Sequence, residues 1–62
     1  MNNDTILTVA EAAALMKINE QTMYNWTHID GFPALRVGRR IRIPRDLLME
    51  WVRDNVGKTV AI

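Results

Sequence analysis

The spacing of apolar residues changes along this chain, and each change marks a new element. Between Thr8 and Met16 the apolar positions are Val9, Ala12, Ala13 and Met16, at i, i+3, i+4 and i+7, which is one stripe of a helix. Thr8 stands just before the stripe and Glu11 three residues later, the pairing with which a helix start caps itself. Lys17-Ile18-Asn19 interrupts the stripe as a turn, and Asn19 suits the cap of a second helix over about Glu20 to His28. On that helix Ile18, Thr22 or Met23, and Trp26 form a core-facing side. Gln21, Tyr24, Asn25 and His28 take the other side, each with a hydrogen-bonding tip. Asp30-Gly31-Phe32-Pro33 is punctuated as a turn.

From Ala34 to Pro44 the period falls to two. Leu35 and Val37 flank Arg36, and Ile41 and Ile43 alternate with Arg40 and Arg42, which predicts the two arms of a β-hairpin. A three-residue loop, Gly38-Arg39-Arg40, pairs Val37 with Ile41 and Leu35 with Ile43 and keeps one face apolar, leaving Arg36 opposite Arg42. A two-residue loop, Gly38-Arg39, pairs Val37 with Arg40 and mixes the faces, so the first register is the expected one. Beyond the hairpin, Pro44 suits the first position of a third helix and Asp46 its first turn. Leu47, Leu48, Trp51 and Val52 supply its apolar stripe, and Gly57 its stop. Ile6 and Leu7 read as a short strand against the hairpin, and Met1 to Thr5 as a loose terminus.

Sixty-two residues support one small domain with a modest core, expected over residues 1–62 with its core at about 6–56 and a flexible tail at 57–62. The chain has no cysteine, so neither a disulfide nor a thiolate metal site braces it. Its 48% apolar fraction is that of a folded protein, its apolar runs last only a few residues, and MNNDT has neither the charge nor the apolarity of a signal peptide. The expected compartment is the cytoplasm, with no membrane association.

Net charge is only +1, but it is unevenly placed. Residues 1–35 carry net −3 and residues 46–62 net −1, whereas Arg36, Arg39, Arg40, Arg42 and Arg45 give residues 36–45 a net +5 with no acid among them. Such a localised basic block is the footprint expected for a nucleic-acid partner. The plainer alternative is a solvated arginine face, or one paired with Asp46 and Glu50. On the second helix, Asn and Gln side chains pair bidentately with adenine, so Gln21, Tyr24, Asn25 and His28, with the adjacent Thr22, are candidate base-reading residues. An ordinary polar solvent face is the alternative there, and His28 taken alone fits a surface or cap position better than a ligand role.

Two short helices joined by a tight turn, a basic hairpin and a third helix make an α+β chain in the order of a small winged helix-turn-helix. TVAEAAALMKINEQTMYNW followed by GFPALRVGRRIRIPRDLLMEWV resembles the excisionase-type, MerR-like DNA-binding domain of phages and mobile elements. It is also similar to AlpA-type phage regulators, especially at Gly31-Phe32-Pro33. The resemblance runs from about Leu7 to Val52. It implies that the second helix enters the major groove and that a wing at Gly38-Arg39-Arg40 lies on the backbone or in the minor groove. It further implies that Trp26, Ile43, Leu47 and Trp51 build the core and that Tyr24 touches DNA. Family members act as recombination directionality factors beside an integrase, or as small transcription regulators. The chain departs from the family pattern at Lys17, where glycine is common, and at Glu20 and Asn25, where basic residues are frequent.

The expected DNA-binding set is therefore Gln21, Thr22, Tyr24, Asn25, His28, Arg36, Gly38, Arg39, Arg40 and Arg42. The expected partners are double-stranded DNA, an integrase or recombinase, and further copies of the chain on DNA, with contacts from the tail after Val56. An alternative of another class is a protein-interaction module whose arginine face takes an acidic partner. No cofactor, metal, small-molecule substrate or catalytic residue is expected: the chain has one histidine, no glycine-rich phosphate loop and no close acid pair in a large core.

Overall fold

A computed structural model describes residues 6–60. The expected loose terminus at Met1 to Thr5 and the tail residues Ala61 and Ile62 lie outside the described residues. The elements run β1 (Ile6–Leu7), α1 (Val9–Met16), α2 (Glu20–Trp26), β2 (Leu35–Val37), β3 (Arg40–Pro44) and α3 (Arg45–Asp54). The three strands form an antiparallel sheet in the order β1-β3-β2, and the whole is a small α+β winged helix-turn-helix.

The core takes one or two side chains from almost every element: Leu7, Ala12, Ala13, Met23, Phe32, Ile43 and Leu48. Leu7 pairs across the sheet with Ile43, so the short first strand closes the core over the inner face of β3. Ala12 and Ala13 have almost no side chain, which lets α1 lie close against α2. Trp26, Phe32 and Trp51 form an aromatic cluster beside this core. Trp51 stands 4.8 Å from Phe32 and 5.3 Å from Trp26 between ring centres, and Phe32 meets it edge-on. The alternation and capping signals thus place the predicted elements, with four corrections.

The first concerns the hairpin. Val37 pairs with Arg40, Arg36 with Ile41 and Leu35 with Arg42, so the loop has two residues, not three. Gly38 has φ +60° and Arg39 has no positive φ, which fits a turn whose first central residue is glycine. The three-residue alternative places the left-handed residue last, at Arg40, where a side chain makes it costly. The sheet's outer face therefore mixes Leu35 and Val37, each 55% exposed, with Arg40 and Arg42. β2 buries no residue, so the core exacts nothing for this arrangement. No arginine stands directly across from another in the paired strands, and the repulsion expected between Arg36 and Arg42 does not arise.

The second concerns Pro44, which is still paired with Ile6 as the last residue of β3 and serves as the cap before α3, one position earlier than expected. Having no polar side chain, it makes no capping hydrogen bond there. The third concerns Leu47, which is 49% exposed. The inward stripe of α3 is Leu48, Trp51 and Val52, at i, i+3 and i+4, and Leu47 lies to its side. The fourth concerns helix ends. α2 stops at Trp26, so His28 falls just past it. α3 stops at Asp54, where the Asn55 side chain donates to the Trp51 carbonyl at 2.8 Å. Gly57, φ +89°, turns the chain only after that.

Candidate nucleic-acid interface

The helix-turn-helix is built from local hydrogen bonds that the sequence dictates. At the start of α1 the Thr8 hydroxyl accepts from the Glu11 N–H at 3.1 Å, and the Glu11 carboxylate accepts from the Thr8 N–H at 2.9 Å. At its end Lys17 adopts the left-handed conformation, φ 57°. Its N–H bonds the Ala14 carbonyl and the next N–H, of Ile18, bonds the Ala13 carbonyl, a double closure of the helix end. Asn19 then caps α2, its side-chain oxygen accepting from Gln21 at 2.7 Å and Thr22 at 3.1 Å. Met23 is fully buried and settles which residue faces inward, while Thr22 is half-buried beside it.

That orientation leaves Gln21 and Tyr24 exposed, with Asn25 half-buried next to them. The Gln21 amide donates to the Asn25 side-chain oxygen at 3.0 Å. The two amides so joined still offer a carbonyl on Gln21 and an amino group on Asn25, one acceptor and one donor for a base edge. His28, although beyond the helix, packs its ring edge-on against Tyr24 with centres 5.0 Å apart. Thr27 between them is buried, and its hydroxyl donates to the Tyr24 carbonyl at 2.6 Å. The expected reading face is thus assembled as one patch.

The wing stands across from it. Arg39, Arg40 and Arg42 line a cleft of about 450 Å³ together with Ile41, with Thr8, Val9 and Ala10 at the start of α1, and with Glu20 and Tyr24 of α2. A second recess, lined by Val9, Glu20, Gln21 and Tyr24, shares three of those residues and carries the opening along α2. Three arginines and one acid, Glu20, thus line one concave surface that continues towards Gln21, with the Arg42 Nη1 donating to the Ile41 carbonyl at 2.9 Å. Guanidinium forks bind phosphate oxygens in pairs, so the basic wall suits an anionic backbone. Gly38 and Arg39 form the exposed tip.

Arg36 is the exception among the expected site residues. It stands opposite Ile41, so it leaves the sheet on the other face from Arg40 and Arg42. Its Nη2 donates to the Thr27 carbonyl at 3.0 Å and lies 3.3 Å from His28 Nδ1. Sequence reasoning missed Thr8, Val9 and Ala10 as part of the cleft. The signal was present: a strand at Ile6-Leu7 paired with β3 carries Thr8 alongside Arg42. Among the described residues no helix is long and apolar enough to cross a membrane.

Residues 6–56 match a family model described as "Helix-turn-helix domain". The chain is also similar to two proteins of Mycobacterium tuberculosis, from strains CDC 1551 / Oshkosh and ATCC 25618 / H37Rv. They carry the names "Putative DNA-binding protein MT0521" and "Putative DNA-binding protein Rv0500A". Each is 50% identical over 38 residues, which is 61% of this chain and 49% of the relative. The match thus spans about half the length of these curated relatives. No solved structure matches the chain significantly. With a match over most of its length, and with the capped helix pair and wing that such a domain requires, the chain belongs to the helix-turn-helix domain family, a DNA-binding family.

Proposed function

We propose that the chain binds duplex DNA in a sequence-specific way, with α2 in the major groove and the wing on the backbone or in the minor groove, as an excisionase-like factor of a phage or mobile element. The single observation that carries this reading is the cleft: Arg39, Arg40 and Arg42 on one wall and Tyr24 on the other, continuous with Gln21. A duplex presents that same pairing of charged backbone and readable groove edge. Arginines hold the backbone and fix the register, and the joined Gln21 and Asn25 amides read bases, adenine being the base whose edge asks for one donor and one acceptor. Glu20, in the same cleft, repels phosphate and favours a cytosine amino group within its reach.

The protein acts by binding and not by catalysis. One such module covers roughly 600–1,000 Å² on DNA, which is little for tight selection. Selectivity is completed by further copies on adjacent sites or by an integrase beside them, and the segment after Val56 is the candidate contact. The test is a footprint on the DNA flanking its own gene, followed by Gln21→Ala and Asn25→Ala on the protected site. Each variant is expected to lose roughly 1–3 kcal/mol on that site and almost nothing on random duplex. Equal losses on both DNAs would mean that this face touches only backbone.

A further inference from the structure

We propose that Arg36 is a positioning residue, whose guanidinium fastens the wing to the end of the recognition helix, and is not one of the phosphate contacts. The inference rests on the DNA-binding reading above and assigns one of its arginines a different task. Arg39, Arg40 and Arg42 line the cleft, and Arg36 is absent from that lining. Its strand register sends it out on the inner face, with Ile41 and Ile43. There its Nη2 donates to the Thr27 carbonyl at 3.0 Å and meets His28 Nδ1 at 3.3 Å.

The place of those two contacts gives them their meaning. Thr27 is the cap residue that ends α2, where carbonyls lack partners within the helix and a positive charge is favourable. Thr27 is buried and bonded through its hydroxyl to Tyr24, and the His28 ring rests against the Tyr24 ring. One guanidinium on β2 therefore grips two neighbouring residues that both hold Tyr24. β2 buries nothing of its own, so beyond its ladder to β3 no apolar side chain of this arm fixes its attitude towards α2. Arg36 supplies that link with a charge-assisted hydrogen bond, and a planar fork loses less freedom in doing so than a lysine does. The distance between the phosphate contacts of the wing tip and the base contacts of Tyr24 is then set before DNA arrives.

The experiment compares Arg36→Ala, Arg36→Lys and Arg39→Ala with the parent protein, first without DNA and then with it. By NMR in the DNA-free state, Arg36→Ala is expected to keep its melting midpoint within a few degrees. Its Thr27 and His28 amides should shift, and the residual dipolar couplings of residues 35–40 should average relative to those of α2. On the footprinted site it should bind about tenfold more weakly, the worth of one charged hydrogen bond. The loss should be smaller on random duplex and the salt slope unchanged, whereas Arg39→Ala lowers the slope by about 1. Arg36→Lys, which keeps the charge and N–H donors but loses the planar guanidinium, should recover part of both the couplings and the affinity. An Arg36→Ala salt slope that falls as far as that of Arg39→Ala would overturn the inference, and so would unaltered couplings in the DNA-free variant. If Arg39→Ala leaves the slope unchanged, the DNA reading of the wing fails instead, and the DNA-free couplings still decide whether Arg36 is the fastening.

Discussion

The helix pair and the outer arm of the wing are held in place by different means. The helix pair α1–α2 is closed at its first end, its turn and its second start by hydrogen bonds between residues no more than five apart, and it seats Ala12, Ala13 and Met23 in the core. The hairpin arm β2 has no buried residue, two apolar side chains in water, and a guanidinium reaching back to α2. The helix pair is fixed by capping and packing, and β3, which carries Arg40 and Arg42, is fixed by packing through the buried Ile43, whereas β2 is held by a turn, a strand ladder and one polar link. On the proposed reading, a rigid helix pair beside a wing whose tip carries the exposed Arg39 suits a division of labour. Base edges demand fixed geometry, while phosphates accept small adjustments by long flexible cations.

The sharpest way to break this comparison is to remove a side chain from the packed part. Leu48→Ala deletes a fully buried residue and is expected to cost roughly 2–5 kcal/mol. Total stability in a domain of this size is of that order, so the variant should lack a cooperative melt at 25 °C. A melt near the parent midpoint would show that the core is not where the burial places it. Next come the caps. Thr8→Ala and Asn19→Ala should each cost about 1 kcal/mol in chemical denaturation, since each side chain satisfies one or two N–H groups at a helix start. Changes within error would mean that tertiary packing alone holds the helix pair.

Lys17→Gly should act in the other direction. Lys17 has φ 57°, which glycine adopts without strain, and the exchange is expected to stabilise by about 0.5–1 kcal/mol despite the freer unfolded chain. A destabilised variant would show that the turn carries no strain. The smallest effect belongs to the wing. Val37→Thr should change stability by less than about 0.5 kcal/mol, because the residue is mostly in solvent and threonine keeps the strand preference. A loss of 1 kcal/mol or more would mean that this face is covered in solution.

The same contrast explains what was legible in the sequence. Thr8, Glu11 and Asn19 announce the helix starts because capping is a short-range rule, satisfied within three residues. Lys17 stood out only through the family resemblance, as a residue at a position where glycine is common, and its φ of 57° is the reason glycine suits that position. The hairpin misled because alternation fixes a register only where one face must be buried. β3 obeys that rule through Ile43, but β2 is an edge strand with nothing to bury, so the glycine at the first loop position decided the pairing. Leu47 misled because a stripe of four apolar residues on a helix of ten does not say which three face inward. Of the candidate site, the shared outward placement of Gln21, Tyr24 and Asn25 was legible from helical spacing. The departure of Arg36 from the other arginines was not, because it follows from the register. The contribution of Thr8, Val9 and Ala10 needed the sheet pairing that places them beside β3.

The central claim is that the wing tip engages phosphate while the helix pair carries the reading residues. The measurement that tests it most directly is duplex affinity over a series of salt concentrations for the parent protein and for Arg39→Ala/Arg40→Ala. The expected result is a fall of about 2 in the slope of log K against log[salt], with the same loss on the footprinted site as on random duplex. A slope that stays at the parent value would remove the wing tip from the interface and contradict the account.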